Sequence, residues 1–105
     1  MKVPLGAEGV LDAAWAAACT VPPPPEAAKY GETLGALAAW CREMQRIKGP
    51  RPFYLSARTV QTRLGLSVPM LAWNRLRFLV RLGILAEVEK GDRHRASSFR
   101  YLLPL

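Results

Sequence analysis

Residues 55–102 read LSARTVQTRLGLSVPMLAWNRLRFLVRLGILAEVEKGDRHRASSFRYL, and this stretch decides the fold. Ser56 is of the type that caps helix N-termini, and the apolar residues after it are spaced as in a helix over residues 57–64. Gly65 suits the left-handed position that ends such a helix, and Leu66 is then expected to plug the core. A second helical pattern follows directly, so the sequence predicts a helix-turn-helix.

The second helix of this pair is predicted over residues 68–82 and has two different faces. Ser67 is its expected N-cap, and Pro69 lies in the first turn, where a missing N–H costs little. Four apolar residues share the face for the core: Ala72, Leu76, Leu79 and Val80. The opposite face, at spacings of three and four residues, carries Met70, Trp73, Asn74, Arg77 and Arg81. Such a helix can pack on a domain and still present a cationic face to a partner.

A β-hairpin is predicted to follow, after Gly83 ends the helix. Its strands cover residues 84–88 and 99–103, in which apolar residues alternate with charged ones. The core residues expected from these strands are Ile84, Val88, Phe99 and Tyr101. The turn between them, KGDRHRASS at residues 90–98, carries three lysine or arginine residues and the only histidine, His94.

Three further elements are predicted before this stretch. Residues 7–19 have one apolar stripe at helical spacing, and the proline run 22–25 ends that helix in a stiff, extended connector. A helix is predicted over residues 32–48 and a brief strand over residues 53–55. The apolar face of helix 32–48 is expected to contain Leu34, Leu37, Ala38, Trp40, Cys41, Met44 and Ile47. Its solvent face is expected to contain Glu32, Ala39, Arg42, Glu43 and Arg46. The fold class predicted is mostly α with a small β-hairpin.

The stretch 55–102 resembles a winged helix-turn-helix domain. The resemblance is carried by a first helix ending in RLGLS, a second ending in LRFLVRLGIL, then VEKG, a basic turn and an aromatic strand. Helix 32–48 matches the helix that usually precedes these elements. The segment is similar to winged helices of phage and plasmid replication proteins, including those attached to primases, and of small bacterial regulators. The fifteen residues between Ser67 and Gly83 slightly exceed the spacing common in the family, so which residues of helix 68–82 reach bases stays open.

The resemblance implies a domain division and a function. Residues 1–25, an additional N-terminal helix with its proline connector, lie outside the shared core, and residues 26–105 form the winged helix-turn-helix domain. The implied function is double-stranded DNA binding, sequence-tolerant or sequence-specific, in phage- or plasmid-type DNA replication or in transcription regulation. Residues 68–82 are then the recognition helix, and residues 90–98 are the wing.

Three groups of DNA-binding residues follow from the same resemblance. The recognition helix supplies Met70, Asn74, Arg77 and Arg81. The contacts to the DNA backbone are expected from Ser56, Arg58, Arg63 and Lys90. The wing supplies Arg93 and Arg95, since wings commonly lie along the phosphate backbone or in the adjacent minor groove, where the negative potential of a narrow groove attracts arginine.

Alternative roles stay open for several of these residues. Asn74 can pair with adenine and Arg77 with guanine, or Asn74 is only a polar surface residue and Arg77 a phosphate contact. Packing on the domain's own surface is the expected role of Trp73. His94 is expected to be an ordinary loop residue.

The charge distribution favours a polyanionic partner. The net charge is +7, and residues 51–105 carry ten basic residues against three acidic ones. Residues 1–50 carry five of each. Nine of the ten basic residues in the second half are arginines, which suit bidentate recognition of phosphate or guanine better than lysines do.

Catalysis, cofactors and metals are not expected. The chain has no phosphate-binding loop of the GxxxxGK type and no nucleophile with a credible base. Cys19 and Cys41, with one distant histidine, do not supply a four-ligand zinc site. We expect both thiols to be free and buried in a reducing cytoplasm. No apolar run approaches the length of a membrane helix and no export signal is recognisable, so no membrane partner is expected.

Two other kinds of partner are compatible with the sequence. Winged helices also serve as protein–protein adaptors in replication or transcription complexes, and Trp15, Trp73 and the proline run are candidates for a docking surface. Single-stranded DNA requires aromatic residues exposed along a basic groove, whereas most aromatic residues here are expected to be buried. A homodimer and a replication-protein partner also stay open, since no motif specifies either.

Overall fold

The computed structural model describes residues 7–91 and 96–105 of the chain. In order, these contain α1 (Ala7–Ala18), α2 (Pro25–Ala28), α3 (Glu32–Lys48), β1 (Phe53–Leu55), α4 (Ala57–Leu64), α5 (Pro69–Arg81), β2 (Leu85–Glu89) and β3 (Ser97–Tyr101). The strands form one antiparallel sheet in the order β1-β3-β2. The predicted mostly helical chain with a small β-hairpin is confirmed, and α2 and the pairing of β1 with β3 are additional to the prediction. Within the described ranges no helix is long and apolar enough to cross a bilayer.

The turn between α4 and α5 has the predicted geometry. The Ser56 side chain accepts a hydrogen bond from the Thr59 backbone N–H at 3.1 Å and so caps α4. Gly65 ends this helix in the left-handed conformation, with φ of 67° and ψ of 33°. The N–H of Leu66 then donates to the carbonyl of Gln61 at 2.9 Å, and the Leu66 side chain packs against the core. The tight turn therefore sets the direction in which α5 leaves α4.

The start of α5 differs from the prediction by one residue. Val68, not Ser67, occupies the N-cap position, in an extended conformation and without a side-chain cap. The reason is Pro69, the first helical residue: its ring disfavours the α conformation of the residue before it. Ser67 therefore lies one position too early to be the cap.

The hairpin strands pair with an irregular register, and Val88 lies outside the core. Leu85 pairs with Tyr101 and Glu87 with Phe99, but the next pair is Glu89 with Ser98. Val88 is thus an extra residue in β2, as in a β-bulge, and it is 53% exposed. Its predicted burial is wrong because β2 turns Leu85 inwards, opposite Tyr101, so that the alternation along the strand places Val88 on the outer face. The burial predicted for three other residues is confirmed, namely Ile84, Phe99 and Tyr101.

The face of α3 that was predicted to meet solvent is mostly covered. Ala39, Arg42 and Glu43 are buried, because helices α1 and α2 pack against α3 and the segment before α2 contacts Arg42 through the Pro22 carbonyl. The Arg42 guanidinium donates through Nε to the Glu43 carboxylate at 2.7 Å and through Nη1 to the Pro22 carbonyl at 2.9 Å. Burial of these charges is made tolerable by that pairing. Ile47, expected in the core, is exposed instead.

Helix α1 packs into the same core as the rest of the chain. Ala14 is fully buried, and the Trp15 and Trp40 rings meet edge to face with centroids 5.3 Å apart. The Trp40 indole N–H donates to the carbonyl of Leu11 at 3.0 Å. The predicted apolar stripe of α1 is confirmed, since its other members are partly buried against the core: Val10, Leu11, Trp15 and Ala18. The proline run is not wholly an extended connector, because Pro25 begins α2.

The Gln45 side chain joins α3 to the strand β3. Its Nε2 donates to the carbonyls of Gly49 and Arg51, both at 2.7 Å. Its Oε1 accepts from the backbone N–H of Tyr101 at 2.9 Å. Gln45 itself is buried, so one amide side chain supplies three backbone groups with partners at the junction between helix and sheet.

Replacing this amide with an apolar side chain is expected to destabilise the protein strongly. Gln45→Leu leaves up to three backbone groups without their partner, and a buried unsatisfied group costs about 1–3 kcal/mol. The expected loss in free energy of unfolding is at least about 2 kcal/mol, measured by urea denaturation followed by circular dichroism. Gln61→Leu on α4 is the control and should cost under about 0.5 kcal/mol. Equal losses in the two variants contradict the role of Gln45.

The two cysteines lie in different environments. Cys41 on α3 is buried, as predicted, and burial raises the pKa of its thiol far above the ordinary value. Cys19 is exposed, so its predicted burial is wrong. The reason is that Cys19 follows the last residue of α1, beyond the turns that pack on α3.

The thiol reactivities of the folded protein are therefore expected to differ. With an aromatic disulfide reagent at pH 8, one thiol per chain should react quickly and the other only as the protein unfolds. Cys19→Ser should abolish the fast phase and leave the slow one. Two fast thiols in the folded wild-type protein contradict the burial of Cys41.

Candidate nucleic-acid interface

Helix α5 separates its apolar and polar side chains as predicted. Ala72, Leu76 and Leu79 are fully buried, and Val80 is packed against the core. The other side of the helix is open to solvent and includes the exposed side chains of Met70, Asn74, Arg77 and Arg81. The recognition-helix residues predicted from the sequence therefore share one accessible face. This face is exposed to solvent because the opposite face of α5 packs against the core.

The cationic part of this face forms a shallow groove. Asn74, Arg77, Phe78 and Arg81 line it. Neither Arg77 nor Arg81 forms an ion pair with a carboxylate in the described part of the chain. Two guanidinium groups one helical turn apart are thus left to interact with an external anion or hydrogen-bond acceptor.

Trp73 lies beside this groove and contacts Arg77. The Arg77 Cζ atom is 5.8 Å from the centroid of the Trp73 ring, within the range of a cation–π contact. Trp73 is partly buried and packs against the core, so the packing role expected of it is confirmed. Trp73 also contacts Arg77, and the spacing of four residues between them on a predicted helix indicates that their side chains are neighbours.

A second groove brings together residues from three separate elements. It is lined by Leu55, Ser56, Ala57, Trp73, Lys90, Gly91, Ala96 and Ser97. The Gly91 N–H donates to the Ser97 hydroxyl at 2.9 Å and closes the hairpin where its loop begins. Ser56 and Lys90, 34 positions apart in the sequence, therefore lie on one groove at the start of α4. Trp73 is the residue of α5 that lines this groove.

The two arginines of α4 lie in a different cleft, next to α1. Arg58 and Arg63 line it with Thr59, Thr62, Leu11 and Asp12. The Arg63 guanidinium pairs with the Asp12 carboxylate and lies over the Trp15 and Trp40 rings, at 5.6 and 5.7 Å from their centroids. Arg63 thus helps to hold α1 on the domain. The structure does not bring these two arginines together with Ser56 and Lys90.

The remaining predicted contacts lie outside the described residues. Arg93, His94 and Arg95 belong to residues 92–95, which the structure does not describe. Lys90 is the described charged residue closest to them in sequence on the β2 side, and it is exposed.

The residues suggested for a protein-docking surface do not share one groove. Trp15 lies with Cys19, Val21, Pro22 and Pro23 in an apolar groove between α1 and α3. Trp73 instead lines the groove at the loop end of the hairpin. In the described part of the chain, Trp15 and the proline run therefore line one groove and Trp73 lines another.

Two tyrosines are more exposed than the sequence suggested. Tyr54 lies on the solvent side of β1, and Tyr30 precedes α3. The Tyr30 ring meets the Phe78 ring edge to face, with centroids 5.1 Å apart, in a groove that also includes Asn74. Tyr30 is thus an aromatic residue near the polar face of α5 that sequence reasoning missed.

Comparisons with protein-family models, with curated proteins and with solved structures found no match. The solvent-facing side of α5 and the groove at the loop end of the β2–β3 hairpin are linked by Trp73, which contacts Arg77 in the first and lines the second.

Proposed function

We propose that this chain is a winged helix-turn-helix module that binds double-stranded DNA. In this proposal α5 enters the major groove and the β2–β3 hairpin lies along the neighbouring backbone. The observation that carries the proposal is the exposed face of α5, where Arg77 and Arg81 have no carboxylate partner within the described ranges. A face of this kind is expected to attract phosphates and base edges.

The dimensions of α5 support this mode of binding. The helix has 13 residues, which corresponds to a length of about 20 Å. The major groove of B-form DNA is about 12 Å wide and admits one helix with its side chains. Asn74 and Arg77 lie centrally on the exposed face, where they can reach base edges, and Arg81 lies one turn further along. Asn74 is suited to adenine, and Arg77 to guanine or to a phosphate.

The position of Lys90 supports a second region of contact. Lys90 and the N-terminus of α4 line one groove, and both a lysine side chain and a helix N-terminus attract phosphate. Ser56 contributes to this groove through its position at the start of α4 and not through its hydroxyl, because the hydroxyl already caps α4. Arg93 and Arg95 lie outside the described residues and stay predicted contacts to the DNA backbone, where contacts strengthen binding without selecting a sequence.

Arg63 is left out of the proposed interface. Its guanidinium is already held by Asp12 and by two tryptophan rings, and releasing it would cost those contacts. Arg58 is exposed and has no ion-pair partner in the part of the chain that the structure describes. It can contact DNA that passes the start of α4. The biological process proposed for this module, replication or transcription regulation, rests on the family resemblance alone.

Binding to duplex DNA is expected to depend steeply on salt. Each phosphate contact contributes a slope of about −0.9 to the plot of log affinity against log salt concentration. About five contacts therefore predict a slope between about −4 and −5, measured with a fluorescent random-sequence duplex between 50 and 200 mM salt. A single strand of the same sequence should bind more weakly. No binding at low salt, or a flat response, contradicts DNA binding and favours the adaptor role.

Arg77→Ala is expected to relax the preference for one base pair. Loss of a bidentate contact to guanine costs roughly 1–3 kcal/mol of discrimination at that position and little elsewhere. The measurement compares affinities for duplexes that differ at a single position. Arg51→Ala removes a positive charge from an exposed residue outside both grooves and is the control. A uniform loss across all duplexes would show that Arg77 contacts phosphate instead.

A further inference from the structure

Trp73 lies between the two parts of the proposed interface and touches both. One side of the residue contacts Arg77 on the exposed face of α5. It also lines the groove formed with Ser56, Lys90 and Gly91. We infer that Trp73 is a positioning residue, which holds the Arg77 guanidinium in the orientation used to read a base. The inference rests on the proposed DNA-binding function.

The contact restricts Arg77 without consuming its hydrogen-bond donors. Arg77 donates no hydrogen bond to another residue in the described ranges, so its N–H groups stay available. An exposed arginine side chain otherwise samples many rotamers, and ordering it on binding costs free energy. Contact with an aromatic face reduces that cost, because the ring attracts the cation while its donors remain free.

Trp73 can serve as a support because it is itself held in place. It packs against the core next to α5's buried residues and shares a groove with the loop end of the hairpin. The Gly91 N–H bond to the Ser97 hydroxyl closes the hairpin there. Arg77 is therefore held next to a residue that lines the same groove as the hairpin proposed to contact the neighbouring backbone.

Comparison with Arg63 distinguishes this contact from a purely structural one. Arg63 also lies over tryptophan rings, but its guanidinium pairs with the Asp12 carboxylate. Its donors are thus used inside the protein. Among the described arginines that lie over an aromatic ring, Arg77 is the one without a carboxylate partner.

The experiment uses the full chain and a pool of duplexes with a randomised 12-base-pair centre. Selection with the wild-type protein identifies a preferred duplex and the base pair at which Arg77→Ala loses preference. Affinities for that duplex and its single-position variants are then measured for Trp73→Leu and Trp73→Phe. Thermal unfolding of each variant establishes that it is folded at the assay temperature.

The expected result is a selective loss in the leucine variant. Trp73→Leu should bind the preferred duplex about two- to fivefold more weakly and lose discrimination at the Arg77 base pair. Its salt slope should stay unchanged, because no phosphate contact is removed. Trp73→Phe keeps an aromatic face and should retain most of the discrimination. Trp73→Leu should have no further effect on discrimination when Arg77→Ala is already present.

Several results would overturn the inference. These are full discrimination in Trp73→Leu, equal losses in the leucine and phenylalanine variants, or a wild-type protein that binds duplexes without base preference. If Trp73→Leu is unfolded, the nuclear magnetic resonance spectrum of the wild-type protein decides: the ring of Trp73 should shift the Arg77 side-chain protons upfield, and unshifted protons overturn the inference. Absence of duplex binding by the wild-type protein instead overturns the proposed function itself.

Discussion

The hydrogen bonds of the buried Gln45 amide are the constraint on which the arrangement of helices and sheet depends. They join the end of α3 to the turn before β1 and to the backbone of Tyr101 in β3. The central strand β3 pairs with both other strands, and β2 begins shortly after α5 ends. Fixing β3 on α3 therefore fixes where the hairpin lies relative to α5.

The position of α5 depends on the turn at Gly65, on the helix start at Pro69 and on the packing of its apolar face. Gly65 turns the chain at the end of α4, and Pro69 starts the next helix without the need for a serine cap. The apolar face of α5 then packs on the core. Since one face is used in this way, the arginines on the other side are left in solvent, and an accessible cationic surface results from the packing itself.

Errors in the sequence predictions have a common cause. The periodicity of α3 placed Arg42 and Glu43 in solvent, but α1 and the residues before α2 cover them. Alternation placed Val88 in the core, but the pairing of Leu85 with Tyr101 turns Leu85 inwards and Val88 outwards. Local patterns also did not reveal that Arg63, whose DNA contact stays a prediction, pairs with Asp12, 51 positions earlier in the chain. In each case the deciding contact comes from a distant residue or from strand pairing.

The sequence by itself determined the four longer helices, the turn at Gly65 and the two faces of α5, because these depend on side-chain periodicity and on local backbone preferences. It also located the excess of positive charge in the second half of the chain. Only the tertiary structure decided which charged residues share a surface. Lys90 and Ser56 line one groove with Trp73, while Arg58 and Arg63 line another next to α1. These groupings depend on how distant segments pack and not on their spacing along the chain.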